Sequence, residues 1–151
     1  MNIKAGIISG FITTLALSAL MILKTKMGLM PELNAIKMLA DMMSAPLAMG
    51  WLAHFFIGTM LWGVLFSVLY RHLPGGPVVS ALTFSVIAWL MMMFGPMPMA
   101  GAGLFGLHLG IMVPVATLML HLAWGLVLGL AYDRLASSDE LVAHARPVHQ
   151  G

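Results

Sequence analysis

Three histidines are the residues of this sequence that offer chemistry in an apolar setting. His54 and His121 each lie in a long apolar run, and His108 lies at the edge of a glycine-rich segment. An ionisable side chain inside a membrane is a functional candidate by default. We predict these three as binding residues. Each is either a neutral imidazole that hydrogen-bonds across a helix interface or a ligand to a cofactor.

Haem ligation by His54 and His121, one on each face of the iron, is one form of the ligand role. Both histidines precede a glycine by four residues, which leaves room for a macrocycle. Their depths differ, because His54 is sixteen residues before Tyr70 whereas His121 is eleven residues before Tyr132. Five residues of helix amount to ~7 Å of rise. Hydrogen bonding is therefore favoured, with candidate partners Thr13, Thr14, Ser18, Ser85 and Thr117.

Methionine is the second residue type that stands out, with 16 among 151 residues. Met97 and Met99 follow the third apolar run and lie close to residues 91–93, which are also methionine. Thioether sulfur is a soft ligand suited to Cu(I), and imidazole can complete such a site. Met97 and Met99 are therefore candidate metal ligands, although methionine also serves as a flexible apolar filler. The identity of any cofactor stays open, and a quinone or lipid ligand is a further alternative.

Residues that would support enzymatic catalysis are missing from the sequence. Cysteine is absent, which removes thiolate nucleophiles and thiolate metal sites. Neither Gly-x-Ser-x-Gly nor His-Glu-x-x-His occurs. No acidic or basic residue lies clearly within an apolar run, which argues against a carboxylate relay. The sequence therefore predicts a protein that is not an enzyme.

Composition shows where the candidate residues must lie. Apolar residues make up 61% of the chain and charged residues 8%, against about 45–50% and about 25% in soluble domains. Such a chain cannot cover a water-soluble surface, and the same numbers exclude intrinsic disorder. The basic residues form no cluster, so we expect no nucleic-acid partner. The sequence predicts an integral membrane protein whose main partner is the lipid bilayer.

Four apolar runs are long enough to cross a bilayer, which needs about 20 residues of helix. They are residues 3–23, 48–70, 77–95 and 110–132. Tyr70 and Tyr132 fall at span ends, where amphipathic rings favour the headgroup zone. The runs lack the alternation of barrel strands. We therefore predict an all-α bundle of four transmembrane helices in residues 1–136, followed by a polar C-terminal tail in residues 137–151.

The connection between the first two spans is predicted to form a helix of its own. Residues 31–44 place polar Lys37 and Asp41 on one face and apolar Ile36 and Ala40 on another. Lys37 and Asp41 are four residues apart and can pair weakly. This pattern indicates a short amphipathic helix on the membrane surface.

The connection before the fourth span is unusual because residues 97–109 carry no formal charge and are rich in glycine. Backbone exposed to lipid is costly, so we expect protein to cover this segment. In the tail, Ser137 and Glu140 have the spacing of a capping box. That spacing predicts a short helical turn there.

Charges between the spans give a small bias in orientation. The side that holds both termini carries Lys4, Arg71, Arg134 and Arg146, and the other side carries Lys24, Lys26 and Lys37. Segments with more positive charge tend to stay in the cytoplasm. We therefore predict that both termini are cytoplasmic.

An internal repeat relates the second span to the fourth. At one constant offset, the equivalent residues are Trp62 and Trp124, Gly63 and Gly125, and Tyr70 and Tyr132. Aligning His54 with His121 needs a different offset, so both matches require a gap. We predict a tandem duplication of a helical hairpin, residues 1–75 and 76–136. The copies would be parallel and related by an axis along the membrane normal.

Small residues recur at four-residue spacing along the spans, which indicates faces where helices pack closely. The packing role is assigned to Gly6, Gly10, Gly58, Gly125 and Gly129. We predict a non-enzymatic accessory or assembling subunit that packs through these faces in a homo- or hetero-oligomer. The alternative is a small redox or metal-binding membrane protein that uses the histidines.

The segment Met97–Gly106, with Trp62–Phe66 before it and His121–Tyr132 after it, resembles a family of small bacterial membrane proteins of unknown function. The resemblance covers about residues 3–136, and Met97–Gly106 is its most specific part. It implies a four-helix protein of the bacterial cytoplasmic (inner) membrane. It supplies no activity, cofactor or substrate.

Overall fold

The computed structural model describes residues 2–30 and 33–145, and within these residues there are helices, turns and loops but no strand. Four helices are long and apolar enough to cross a membrane: Ile3–Lys26, Leu47–His72, Pro77–Met99 and Val113–Ser138. They are the first to fourth spans. The predicted all-α fold with four transmembrane helices is confirmed, and the protein is a multi-pass membrane protein.

The first span is the single helix α1 (Ile3–Lys26), held at both ends by side chains. At its start, the side chain of Asn2 accepts a hydrogen bond from the backbone N–H of Ala5 at 2.9 Å. At its end, Lys24 Nζ donates to the backbone oxygens of Leu29 and Met30 at 3.0 and 2.6 Å. Basic groups favour the end of a helix, where carbonyls lack partners.

The surface helix α2 (Ala35–Met42) is shorter than the predicted 31–44. Asn34 is its N-cap, and the Asn34 side chain accepts from the backbone N–H of Lys37 at 3.0 Å. This capping bond sets the helix start downstream of the predicted one. Residues 31 and 32, the first two of the predicted helix, lie outside the described residues.

One face of α2 packs on the bundle and the other is exposed. Ile36 and Ala40 are buried, and both border Gly50 in the second span, where a Cβ would meet them. On the outer face, Lys37 and Asp41 form the expected ion pair at 2.6 Å. The amphipathic pattern of α2 is therefore explained by packing, because its apolar face contacts the second span.

The second span changes helix type along its length. It consists of α3 (Leu47–Phe56), a π-helical stretch (Ile57–Trp62), α4 (Gly63–Leu69) and a 3₁₀ turn (Tyr70–His72). Pro46 precedes α3 as its N-cap residue. The π-helical stretch was not predicted from the sequence.

The third span is α5 (Pro77–Phe94), followed by the short helix α6 (Pro96–Met99). The fourth is α7 (Val113–Ala145), which starts later than the predicted residue 110 because Gly110 has φ +132°. Because α7 is continuous through Ser137, no new helix starts there. The helical turn predicted in the tail is therefore present, as the end of α7 and not as a helix with its own cap. Residues 146–151 lie outside the described residues.

The glycine-rich connection is partly covered by protein. It contains a 3₁₀ turn, Leu104–Leu109, with left-handed backbone at Gly103 and Gly106. Gly106 is buried, and a Cβ there would meet the side chain of Val113 at 2.6 Å. Leu104 and Leu107 are exposed. The segment therefore presents one face to the bundle and one apolar face outward.

Glycines bring the helices of each hairpin into close contact. A Cβ on Gly6 would lie 2.5 Å from the backbone oxygen of Gly63, and a Cβ on Gly10 would lie 2.9 Å from that of Gly58. In the second hairpin, a Cβ on Gly125 would lie 2.6 Å from Ser85 Oγ, and Gly129 lies close to the backbone of the third span. The small-residue faces thus lie between helices of one chain.

The four spans pack unevenly. The first span packs along both the second and the fourth, and the fourth packs along the third. Backbones of the second and third spans approach each other mainly at Tyr70–His72. The bundle is therefore filled in the half near the chain's N-terminus and open in the other half.

Candidate functional site

A cavity of about 1200 Å³ lies in the open half of the bundle. All four spans line it, together with residues of α2 and of the connection after α5. Most lining side chains are apolar, and the polar groups within the spans belong to Thr14, His54, Thr117, His121 and the indoles of Trp62 and Trp124. An apolar pocket with a few placed polar groups is the usual form of a small-molecule site.

Aromatic rings close the inner end of the cavity. Trp62 and Trp124 both line it, and their rings meet edge to face with centroids 6.2 Å apart. Phe84 contacts both rings at 5.7 and 5.9 Å. Further from the cavity, Tyr132 packs against Phe66 at 5.1 Å. These rings form the aromatic cluster, defined as Trp62, Phe66, Tyr70, Phe84, Trp124 and Tyr132.

The two tyrosines at span ends also belong to the core. Tyr132 is buried, and its ring centroid is 5.3 Å from that of Tyr70. The two rings therefore pack against each other within the bundle. Whether their polar tips reach the headgroup zone, as their positions at span ends predict, stays a prediction.

The π-helical stretch of the second span forms part of the cavity wall. Ile57, Gly58, Leu61 and Trp62 from this stretch line the cavity. A π-helical turn carries an extra residue, and such turns occur frequently at functional sites. Gly58 allows the close approach of the first span here, since a Cβ would collide with the side chain of Thr14.

His54 hydrogen-bonds across a helix interface, to Ser18 of the first span. His54 Nε2 lies 3.2 Å from Ser18 Oγ. The hydroxyl of Ser18 donates its proton to the backbone oxygen of Thr14 at 2.7 Å. A hydroxyl has one proton to give, so Ser18 accepts and His54 Nε2 donates. In a neutral ring, Nδ1 of His54 is then an unprotonated acceptor.

His121 makes its hydrogen bond within its own helix. Its Nδ1 lies 2.8 Å from the backbone oxygen of Thr117. A carbonyl oxygen accepts only, so Nδ1 carries the proton and Nε2 of a neutral ring has a free lone pair. Among the described residues, the partner of His121 is thus the backbone of Thr117, one of the residues that the sequence named, on the same helix and not across an interface.

Thr117 is itself held in place by further hydrogen bonds. Trp89 Nε1 of the third span donates to Thr117 Oγ1 at 3.1 Å. Thr117 Oγ1 in turn donates to the backbone oxygen of Val113 at 2.7 Å and lies 3.1 Å from that of Pro114. The turn that carries the partner of His121 is therefore fixed against the third span. Nothing in the sequence singled out Trp89.

His108 does not join the other two histidines. Its side chain is exposed, and its Nδ1 lies 3.1 Å from the backbone oxygen of Gly101. The His108 ring also packs over Gly103, where a Cβ would lie 2.9 Å from the ring. His108 thus braces the glycine-rich connection, and it is not among the residues that line the cavity.

Met97 and Met99 both line the cavity, but their surroundings differ. Met97 is only 4% exposed and is packed with Met93, Ala102 and Val113. Met99 is 74% exposed. Within the described part of the chain, no group of three or more His, Cys, Asp or Glu residues is placed to hold a metal ion.

The chain belongs to the family described as "Family of unknown function (DUF6789)", whose sequence profile matches residues 1–142. No curated protein and no solved structure matches the chain significantly. The expected resemblance to a family of unknown function is thus confirmed over nearly the whole chain. Its members share no assigned activity to compare with the cavity, so the function is argued from the geometry alone.

Proposed function

We propose that this protein is a non-enzymatic membrane protein that binds a lipophilic small molecule within its bundle. The cavity of about 1200 Å³ between the four spans carries this proposal. Small-molecule sites typically measure about 300–1000 Å³ and are lined mainly by apolar side chains. The cavity is somewhat larger than this range, so it has room for such a molecule. It lies between the membrane-spanning helices, at the level of the bilayer where lipophilic molecules concentrate.

The hydrogen bonds in the cavity support binding over catalysis. Thr14 and Thr117 donate their hydroxyl protons to backbone oxygens of their own helices, both at 2.7 Å. A nucleophilic hydroxyl needs a base within reach to take that proton. The Nδ1 of His121 contacts a backbone carbonyl and no carboxylate. Thr14, Thr117 and His121 can therefore hold and orient a ligand, but they are not arranged to react with it.

The small-residue faces do not favour the assembling role. Gly6 and Gly10 contact the second span, and Gly125 contacts the third. These contacts use the faces within one chain, so a partner protein would have to bind elsewhere. An accessory role in a larger assembly is compatible with ligand binding, but the glycines do not supply its interface.

The hydrogen bond of His54 weighs against haem as the ligand. Two axial imidazoles must each present a nitrogen to the iron. The Nε2 of His54 is bonded to Ser18, so only Nδ1 remains for the metal. Absorption spectroscopy of the purified protein separates the cases, since bound haem would give a Soret band and an apolar colourless ligand would not.

Filling the cavity tests the proposal. Leu120 lines the cavity, and Leu126, on the same helix, is exposed on the outer face. We expect Leu120→Trp to reduce the amount of apolar molecule that co-purifies, detected by mass spectrometry of an organic extract. The matched variant Leu126→Trp should retain the wild-type amount.

Two outcomes would overturn this function. One is equal retention in both tryptophan variants, with both still folded in a detergent melting assay. The other is a wild-type protein that carries no apolar molecule and also fails to bind an environment-sensitive apolar fluorophore.

A further inference from the structure

The cavity holds one acceptor whose hydrogen-bonding role is fixed, Nε2 of His121, and this constrains the ligand. The indole N–H groups of Trp62 and Trp124, which also line the cavity, are donors. We propose that the molecule bound in the cavity donates a hydrogen bond from a hydroxyl group to Nε2 of His121. This inference rests on the proposed function and specifies the chemical class of the ligand. The class is a lipophilic alcohol or phenol, in contrast to a hydrocarbon, an ether or a ketone.

The fixed role of His121 follows from its partner. A serine hydroxyl can either donate or accept, whereas a backbone carbonyl only accepts. The 2.8 Å contact with the oxygen of Thr117 therefore keeps the proton on Nδ1. Trp89 and Val113 hold the Thr117 side chain in place, so this turn has no alternative partner to offer. Nε2 of a neutral ring is an acceptor in every state of the cavity.

The acceptor on His121 has no partner among the described residues. No hydrogen bond to its Nε2 occurs there, and the nearest aromatic ring is that of Trp124, with centroids 6.5 Å apart. The side chain is only partly exposed and lines the cavity. An acceptor in apolar surroundings without a donor costs free energy. A ligand that brings a donor removes that cost, and a ligand with acceptors alone does not.

His54 places no such demand on the ligand. Its partner is the hydroxyl of Ser18, 3.2 Å away. If that hydroxyl rotates from the backbone oxygen of Thr14 toward His54, the roles of the two His54 ring nitrogens exchange. His54 can therefore meet either a donor or an acceptor. The cavity thus combines the fixed acceptor of His121 and the indole donors of Trp62 and Trp124 with one adaptable group, His54.

The hydroxyl has two sources in a membrane, a phenolic ring or the glycerol of a lipid. The experiment uses a pair of probes for each: 4-nonylphenol with its methyl ether, and 1,2-dioctanoylglycerol with its 3-O-methyl ether. Binding is measured to the full chain in nanodiscs. Methylation removes the donor and keeps nearly the same apolar body, so the ratio within a pair isolates the hydrogen bond.

We expect one hydroxyl probe to bind the wild-type protein about tenfold more tightly than its ether, the size of a net hydrogen bond. The pair that shows this ratio identifies the source of the hydroxyl. In His121→Phe the two members of that pair should bind equally. In the control Leu61→Ala, which alters the cavity wall, both should weaken by the same factor and the ratio should persist.

The outcomes separate the two proposals. If each ether binds as tightly as its parent hydroxyl compound, the ligand class is wrong and the cavity remains a binding site. If no probe of either pair binds although the protein still binds the apolar fluorophore, the ligand class is also wrong. If the fluorophore fails to bind as well and no apolar molecule co-purifies, the proposed function fails. The wild-type comparison needs no variant, so the ligand class is tested even if the His121→Phe protein misfolds. The assignment of the acceptor to His121 depends on the variant.

Discussion

The indole rings of Trp62 and Trp124 meet edge to face at the centre of the bundle, with centroids 6.2 Å apart. These residues are equivalent in the predicted repeat, and so are Tyr70 and Tyr132, whose rings are 5.3 Å apart. Equivalent residues meet in this way when two copies face a common axis. The contacts support the predicted duplication, which stays a prediction.

The two halves are nevertheless not alike. The first span packs along the fourth, but the second and third spans stay apart except near Tyr70–His72. A strict two-fold arrangement would make these two interfaces equal. The π-helical stretch Ile57–Trp62 occurs in the second span, whereas the described fourth span is a continuous α-helix. This difference accompanies the open side of the cavity.

Replacing a glycine between spans should destabilise the bundle. We expect Gly125→Leu to lower stability by ~1–3 kcal/mol or more through overpacking, because a Cβ there already lies 2.6 Å from Ser85 Oγ. Gly129→Leu should behave in the same way. The matched changes Leu126→Val and Leu130→Val, on exposed side chains, should be milder. Melting in detergent measures all four, and equal tolerance would show that the packed face is misassigned.

The bond between His54 and Ser18 should appear as a coupling energy. In a double-mutant cycle with His54→Ala and Ser18→Ala, we expect about 0.6 kcal/mol, as for other hydrogen bonds in membrane proteins. Thr13 supplies the control, since its hydroxyl donates to the backbone oxygen of Ser9 at 2.7 Å. The cycle of His54→Ala with Thr13→Ala should give a coupling near zero. Similar values in both cycles would contradict the contact.

The two cavity histidines should differ in tautomer. Nitrogen-15 NMR of histidine-labelled protein should show the proton on Nδ1 of His121 and on Nε2 of His54, because their partners are a carbonyl and an accepting hydroxyl. The variants His121→Gln and His54→Gln assign the signals. A proton on Nε2 of His121 would contradict the geometry and remove the basis for a hydroxyl ligand.

Orientation is testable with reporter fusions. A fusion at residue 151 should report a cytoplasmic location, and one inserted at residue 32 should report the opposite side, because of the excess of basic residues on the side of the termini. The reverse pattern would overturn the predicted orientation. Signals on the same side from both fusions would contradict an odd number of crossings between these positions.

Apolar run length predicted the spans well because a bilayer demands about 20 apolar residues whatever their packing. It predicted helix ends less well. Hydropathy reports where the membrane lies, so it gave no reason for α7 to continue to Ala145. The start of α2 was misplaced because the pattern of polar and apolar faces does not show which side chain caps the helix, and here Asn34 does.

Much of the site depended on contacts between distant residues and was less predictable. The sequence singled out His54 and His121 because ionisable groups are rare in spans. It included Ser18 among the possible partners, but it could not select Ser18 for His54 or the backbone oxygen of Thr117 for His121. For Trp62 and Trp124 it predicted only that they are equivalent positions of an internal repeat, and not that they line a cavity. Nothing in the composition of residues 57–62 indicated a π-helical stretch.

The uneven packing has a mechanical consequence. The second and third spans are joined by a short connection, residues 73–76, at the end where the aromatic cluster holds them together. At the opposite end, each is linked to a different neighbour, α2 for the second span and α6 for the third. The aromatic cluster is therefore the point about which the two helices would tilt relative to each other. Such a tilt would change the distance between the second and third spans at the opposite end, where both line the cavity.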